Sequence, residues 1–157
     1  NEMARENRLK EGLVAARQTY DYIFVDCPPS LGLLTVNAFA AADGIIVPMQ
    51  CEYYALEGLS QLINSINLVK RHINPALSIF GVVLTMYDPR LNLTQQVETE
   101  VKSYFGDKVF NSVIPRNIRL SEAPSHGLPI CLYDGRSKGA ESYMALTREI
   151  IRRGDGR

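Results

Sequence analysis

The sequence predicts an α/β fold with a doubly wound, mostly parallel sheet and helices on both faces of that sheet. One observation is a set of β-branched runs that are apolar at successive positions, such as IFVD, GIIVP and FGVVLT. Such runs are typical of parallel strands, because both faces of those strands are buried. The other is that the runs alternate with amphipathic segments at helical spacing, as crossover connections between parallel strands require.

Four segments are predicted to be strands, since each combines apolar or β-branched residues with turn-forming residues at its ends. In chain order they are YIFVD (22–26), GIIVPMQ (44–50), LSIFGVVLTMYD (77–88) and VFNSVIP (109–115). A polar stretch rich in turn-forming residues, 116–135, follows the fourth strand. These positions place a polar group directly after every predicted strand.

The predicted helices fill the intervals between the strands. Residues 3–17 are expected to form an amphipathic helix, and LLTVNAFAAA (33–42) a short apolar one. Another helix is expected to end at Gly106, and the last to begin after Ser137 as N-cap and run to about Arg152. The clearest helix lies within 54–73, where one apolar stripe contains Leu59, Leu62, Ile63, Ile66, Val69 and Ile73.

Length and composition indicate one globular domain, residues 1–157, with a helix within 1–17 and a frayed tail at 153–157. Hydrophobic residues make up 46% of the chain and charged residues 22%, which excludes a disordered protein. Lys+Arg and Asp+Glu number 17 each, so any affinity for nucleic acid must come from a local basic patch.

The cysteines and the hydropathy pattern predict a cytoplasmic protein. The three cysteines, Cys27, Cys51 and Cys131, are odd in number and have no CxxC spacing, which favours reduced thiols over disulfides or zinc ligands. No apolar run approaches the ~20 residues that a membrane span requires. The sequence therefore predicts no membrane partner.

Polar groups at the strand ends are the candidate functional residues, because ligands of doubly wound sheets bind beyond the carboxyl ends of the strands. Asp26 follows four apolar residues, the arrangement of a Walker-B acid that holds magnesium beside nucleotide phosphates. Pro28 and Pro29 then lead the chain away from the sheet along a defined path. The plainer alternatives are a strand that simply ends on Asp26 and an ordinary turn at the two prolines.

Two long segments of the chain resemble ParA/Soj-type chromosome- and plasmid-partitioning ATPases, which are relatives of MinD and of the nitrogenase iron protein. The first is YDYIFVDCPPSLGLLTVNAFAAADGIIVPMQCEYYALEGLSQL. The second is VIPRNIRLSEAPSHGLPICLYDGRSKGAESYMALTREII. The resemblance covers roughly residues 18–152 and implies a P-loop NTPase fold.

The resemblance implies specific roles for several residues in the complete protein. Asp26 would be the Walker-B acid, serving Mg²⁺ through a bound water, and Pro28 and Pro29 would open the switch segment. Asn117, otherwise a plain turn residue, would read the edge of the adenine of ATP, with Pro115 packed beside the ring. The remaining residues expected to flank the adenine are Met86, Tyr87 and Arg116.

The phosphate-binding motif of that family has no counterpart in these 157 residues. None of the five lysines stands in GxxxxGK[ST], and DGRSKGAE has the wrong glycine spacing. We therefore expect the chain to be a C-terminal part of the family's fold that lacks the P-loop strand, and to show negligible ATPase activity alone. A missing inner strand would leave an apolar groove and an unpaired strand edge, both of which favour self-association.

The resemblance also implies partners. An ATP-bound homodimer would bind non-specific DNA, with Arg90 and Arg119 at positions where the family carries DNA-contacting arginines, and would be associated with the nucleoid. A ParB-type centromere-binding protein would stimulate hydrolysis and release. Without the resemblance, scattered basic side chains predict only a solvated surface.

Three alternatives remain at the level of sequence. A MinD-like cell-division ATPase would need a membrane-binding C-terminal helix, but the sequence offers only Ile150 and Ile151 before a Gly-Asp-Gly break. DCPPS is faintly similar to an amino-methyltransferase motif, although Cys27 and Ser30 do not fit it. A non-catalytic interaction module that has lost its P-loop is the third alternative.

Overall fold

Two parallel strands, β1 (Gly44–Gln50) and β2 (Ser78–Thr85), form the sheet of the computed structural model. The structure describes residues 5–28, 32–52 and 55–155, and the side chains of these except 55–60. The α/β class with a parallel sheet is therefore confirmed. Residues 81–84 of β2 are all buried, whereas β1 alternates after Val47, with Met49 buried and its neighbours exposed. β1 is thus a one-sided strand over this part, not the two-sided strand that its composition predicts.

The helices match most of the expected segments. In the helix expected at 3–17, the apolar residues at helical spacing are all half-buried, namely Leu9, Leu13 and Ala16, although the helix is divided at Leu13. The helices of the described residues are α1 (Arg8–Gly12), α2 (Val14–Arg17), α3 (Leu33–Ala41), α4 (Ala55–His72), α5 (Asn92–Phe105), α6 (Ile118–Glu122), α7 (Ile130–Tyr133) and α8 (Lys138–Asp155), with 3₁₀ turns at Arg5–Asn7, Gly106–Lys108 and Ala123–His126.

The predicted buried strand at 22–26 is wrong. Residues 22–28 have no regular secondary structure, and Phe24 is 70% exposed. A strand requires a neighbouring backbone to complete its ladder, and within the described part of the chain no bridge reaches this segment. The rings of Tyr22 and Phe24 instead stack on each other with centroids 6.4 Å apart.

The predicted fourth strand, 109–115, is only partly formed. Val109 pairs with Val82 and Pro115 with Tyr87, both as isolated parallel bridges. Between those bridges the backbone amides of Asn111 and Ser112 donate to the Glu149 carboxylate, each at 2.9 Å. The segment therefore lies beside β2 without forming a continuous ladder, because two of its backbone amides donate to the Glu149 side chain instead of to β2.

By its internal contacts the chain divides into two compact units, and the prediction of a single domain over 1–157 stays a prediction. The first unit comprises Asn1–Ile45 and Gly58–Phe80. Its core contains Phe39, Ile66, Val69 and Leu77. Two side chains from outside α3 satisfy carbonyls at its C-terminal end: Asn74 donates to Ala42 and Phe39, and Arg17 donates to Ala41.

The second unit comprises Ile46–Glu57 and Gly81–Arg157, and its buried side chains include Phe110, Val82, Leu84 and Val101. The guanidinium of Arg153 lies 4.2 Å from the Phe110 ring centroid and donates to the Val109 carbonyl at 2.8 Å. Helix α8 accordingly continues to Asp155, beyond the predicted end at about Arg152. Residues 156 and 157 lie outside the described residues, and the fraying of the tail stays a prediction.

Among the described helices none is long and apolar enough to cross a membrane. Cys27, Cys51 and Cys131 are all free thiols. Burial, followed by the nearby Glu98 carboxylate, raises the pKa of the Cys51 thiol to about 11, so this thiol stays protonated at neutral pH.

Candidate functional site

Asp26 and Pro28 lie in the irregular segment 22–28 of the first unit, and both are exposed. The predicted position at a strand end is therefore absent from this structure, and Pro29 lies outside the described residues. Among the described residues no three His, Cys, Asp or Glu side chains are grouped so that they could hold a metal ion. Burial, followed by the charge of Asp26, raises the pKa of the adjacent Cys27 thiol, which does not favour a thiolate nucleophile.

The end of β2 brings together most of the predicted adenine-flanking residues. Tyr87 forms a parallel bridge with Pro115, and its amide donates to the Ile114 carbonyl at 3.1 Å. Arg116 follows directly on Pro115 and is exposed. Met86 has a φ of +51°, a left-handed conformation that a non-glycine residue rarely adopts. Backbone strain of this kind is concentrated at functional sites, and here it redirects the chain as it leaves the strand.

A carboxylate that the sequence analysis did not single out holds the Tyr87 side chain. The Tyr87 hydroxyl donates to Glu98 Oε2 at 2.6 Å, and Lys102 Nζ donates to Glu98 Oε1 at 2.5 Å. The hydrogen bond to Glu98 is the largest cause that raises the pKa of Tyr87 to about 12. The bonds from Lys102 and then Tyr87 lower the pKa of Glu98. The i,i+4 spacing of Glu98 and Lys102 is the sequence signal for this pair, whereas no local signal indicates Tyr87 as a third member.

Asn117 has a structural role at the start of α6. Its Oδ1 accepts the backbone amide of Arg119 at 3.0 Å, as an N-cap does. This is the turn-residue alternative that the sequence left open.

The two predicted DNA-contacting arginines both form ion pairs within the second unit. Arg90 donates to both carboxylate oxygens of Asp88, at 2.9 and 2.7 Å. Arg119 donates to Glu122 at 2.9 Å and lies 3.4 Å from an Asp134 oxygen. The hydrogen bonds from Arg90 lower the pKa of Asp88 to about 2, with a further contribution from Arg116. Both arginine side chains remain largely exposed, at 86% and 54%.

Glu122 connects Arg119 to two aromatic rings. The Tyr133 hydroxyl donates to Glu122 Oε2 at 3.0 Å, and the His126 ring stacks on Tyr133 with centroids 4.8 Å apart. The hydrogen bonds from Arg119 and then Tyr133 lower the pKa of Glu122. Sequence reasoning missed Glu122, because 116–135 was expected to be a turn-rich stretch, where an i,i+3 spacing from Arg119 does not indicate an ion pair.

Comparison with solved structures defines the class of protein. Cobyrinic acid a,c-diamide synthase from Mycobacterium smegmatis, solved with a bound ATP analog and magnesium, matches with a TM-score of 0.81 and 33% identity. The match covers 99% of this chain and 58% of that chain. The fold is therefore that of the P-loop NTPases related to ParA and MinD.

Sequence comparison defines the family. The profile of a family described as an AAA domain matches residues 1–79. The chain is 62% identical to the sporulation initiation inhibitor protein Soj of Bacillus subtilis (strain 168), over 97% of this chain and 60% of that protein. It is 58% identical to the chromosome partitioning protein ParA of Myxococcus xanthus (strain DK1622), over 98% of this chain and 54% of that protein. The chain belongs to this AAA-domain family, in its ParA/Soj-type group, and spans little more than half the length of these relatives.

Proposed function

We propose that the full gene product is an ATP-dependent DNA-segregation ATPase that partitions chromosomes or plasmids. The observation that carries this proposal is the 62% identity to Soj over 97% of the chain. In this proposal ATP drives a homodimer that binds non-specific DNA on the nucleoid. A ParB-type partner then stimulates hydrolysis and releases the dimer from DNA.

The base of the nucleotide is assigned to the end of β2. Met86, Tyr87, Pro115, Arg116 and Asn117 would flank the adenine, and the bridge between Tyr87 and Pro115 supports their grouping. The Tyr87 hydroxyl is already bonded to Glu98, so this residue would act through its ring and backbone. Asn117 Oδ1 is bonded to the Arg119 amide, so its Nδ2 would be the group that donates to the base.

The described residues alone do not provide the groups that would bind the phosphates and the magnesium ion of ATP. Asp26 is exposed, and within the described part of the chain no further carboxylate, cysteine or histidine completes a metal-binding group with it. The 157 residues also contain no GxxxxGK[ST] motif to supply amides and a lysine for the phosphates. We therefore assign ATP hydrolysis to the full gene product, with Asp26 as its Walker-B acid, and none to these residues alone.

The nucleotide assignment is tested by comparing two proteins in one assay. The full gene product should hydrolyse ATP in the presence of Mg²⁺, and an Asp26→Ala variant of it should lose that activity. The isolated 157 residues should show no hydrolysis above the background without protein. Hydrolysis by the isolated residues, or full activity of the Asp26 variant, would contradict the assignment.

DNA binding is assigned to Arg90 and Arg119, whose guanidinium groups are exposed. In the full gene product, Arg90→Ala and Arg119→Ala should each abolish DNA binding without preventing ATP-driven dimerisation. Residual binding at low salt should show a salt slope lower by about one for each lost phosphate contact. Arg148→Ala, an exposed arginine on α8, is the matched control and should bind as the wild type does.

A further inference from the structure

Each arginine proposed to contact DNA is held by a carboxylate that lies very near it in the sequence. Asp88 is two residues before Arg90, and its Oδ1 also accepts the Arg90 backbone amide at 3.1 Å. The backbone bond anchors the carboxylate beside the arginine, and the two side-chain bonds align it with the guanidinium fork. This two-point geometry is the one that guanidinium groups form with phosphate as well as with carboxylate.

The Asp88–Arg90 pair is asymmetric in its exposure. The Arg90 side chain is 86% exposed, whereas that of Asp88 is 23% exposed. An incoming polyanion can therefore reach the guanidinium from solvent while the carboxylate stays in place behind it. Arg116, the other charge that lowers the pKa of Asp88, is exposed and follows the bridge at Pro115. Asp88 remains ionised throughout the neutral pH range, so its carboxylate can pair with Arg90 at every physiological pH.

The Arg119 pair is built differently and is less dependent on one carboxylate. Glu122 accepts from both Arg119 and Tyr133, and Asp134 lies 3.4 Å from Arg119 Nε on its other side. Removal of the Glu122 charge would leave Arg119 with the charge of Asp134. The two pairs therefore predict effects of different size.

We propose that Asp88 and Glu122 are intramolecular competitors of nucleic-acid phosphate, which occupy the guanidinium groups of Arg90 and Arg119 until DNA displaces them. This inference rests on the proposed function, because it concerns the regulation of the same DNA-contacting face. Each phosphate contact then replaces an existing ion pair instead of neutralising a free charge. The carboxylates weaken DNA binding and restrict it to states in which several contacts form together.

The test measures the affinity of the full gene product for mixed-sequence duplex DNA, with ATP and Mg²⁺. Asp88→Asn keeps an acceptor for the Arg90 amide and removes the charge, and it should bind DNA about two- to five-fold more tightly, the range that exposed ion pairs correspond to. Glu122→Gln should tighten binding by less than about two-fold, since Asp134 remains. Exposed Asp107 and Glu100 provide matched controls, Asp107→Asn and Glu100→Gln, which should stay close to the wild type.

A double variant separates local competition from the general effect of lost negative charge. At low salt, where residual binding of Arg90→Ala is measured, Asp88→Asn combined with Arg90→Ala should bind no more tightly than Arg90→Ala alone, because the guanidinium that Asp88 occupies is absent. An equal gain in both backgrounds would show that Asp88 acts only through the overall field, and would overturn the inference.

The outcomes distinguish this inference from the proposed function on which it rests. If Arg90→Ala and Arg119→Ala bind DNA as the wild type does, or if the wild type binds none, the DNA-contacting face is wrong and both proposals fail. If the arginine variants lose binding while Asp88→Asn matches Asp107→Asn, the proposed function stands and the competitor is refuted. Tighter binding by Asp88→Asn, abolished by Arg90→Ala, supports both.

Discussion

Segment 22–28 and strand β2 have similar sequences and opposite environments. Both contain a run of apolar, β-favouring residues, YIFV in one and IFGVVL in the other. Phe24 is 70% exposed in the first, whereas Val82 is fully buried in the second. Composition and periodicity alone would assign the same structure to both runs.

The difference lies in the backbone partners of each run. β2 pairs with β1 on one side. On its other side the Val82 carbonyl accepts the Phe110 amide at 2.8 Å, and the Leu84 carbonyl accepts the Ile114 amide at 2.9 Å. Segment 22–28 has no such partner within the described residues. An apolar run therefore becomes a buried strand only where other segments satisfy its amides and carbonyls. This comparison leads to four predictions, from the largest expected effect to the smallest.

The largest effect is expected from Glu149→Ala, which removes the side chain that holds 109–115 beside β2. The buried carboxylate accepts two backbone amides at 2.9 Å and pairs with Arg153 at 2.8 Å. Its loss leaves the partly buried amides and the Arg153 guanidinium without this partner, so the free energy of unfolding should fall by about 4 kcal/mol. Urea denaturation measures this value. Glu141→Ala, at an exposed position of the same helix, should cost under about 1 kcal/mol.

Gly81→Ala should disrupt the same side of β2 by overpacking. A Cβ at Gly81 would lie 2.3 Å from the Phe110 ring, which is itself buried. The ring or the strand must move, and the free energy of unfolding should fall by about 3 kcal/mol in thermal or urea denaturation. Gly12→Ala is the control, because a Cβ there meets nothing within 4 Å. Equal stability of the two variants would show that Phe110 does not pack against this strand.

One substitution made in both runs tests the comparison directly. Val82→Ala removes buried methyl groups from β2 and should cost about 2 kcal/mol of unfolding free energy. Val25→Ala removes the same groups from a side chain that is 43% exposed, and should change stability by less than about 0.5 kcal/mol. Urea midpoints of the two variants against the wild type give both values. A large loss for Val25→Ala would mean that 22–28 is a buried strand in solution.

The smallest effect is expected from acidification, through Glu149. Burial alone would raise the pKa of this carboxyl, but the hydrogen bonds from Asn111, Ser112 and Arg153 outweigh it and lower the pKa. A folded-state pKa below the unfolded value means that the unfolded chain binds more protons. The stabilisation is therefore complete above the ordinary value of about 4.3 and is lost as pH falls through the lower folded value.

The measurement for this prediction is the urea midpoint as a function of pH. Between neutral pH and about 5 the wild type should be nearly constant, and below about 4 it should lose stability. Glu149→Gln should be less stable at neutral pH and should decline less steeply in acid. Parallel curves for the two proteins would show that Glu149 does not contribute to the acid sensitivity.

Several parts of the fold and the candidate site were predictable from local sequence. The stripe in α4 predicted its extent to within a residue or two, and Ser137 does cap α8, with its Oγ accepting the Ala140 amide at 3.2 Å. Gly106 ends α5 with a φ of +57°, as a helix-stopping glycine is expected to do. These features depend on residues within one or two helical turns of each other, so the pattern of the chain contains them.

Most of the features that sequence reasoning missed depend on contacts between distant residues. The Glu149 carboxylate accepts the backbone amides of Asn111 and Ser112, and this interrupts the strand predicted at 109–115. Tyr87, which directly follows the unusual backbone of Met86, meets Glu98 eleven positions away. The partners of Arg90 and Arg119 were within three residues, yet charge spacing outside a predicted helix does not indicate whether two side chains point toward each other.

By itself the sequence determined the α/β class, the positions of the longer helices, and membership of the ParA/Soj-type group, because each of these follows from local periodicity or from many matching residues in one order. The tertiary structure alone decided which apolar runs become strands and which arginines carry a carboxylate partner. The physical reason is that ladder hydrogen bonds and ion pairs need both members in place, and only the folded chain brings distant backbone and charged groups within bonding distance.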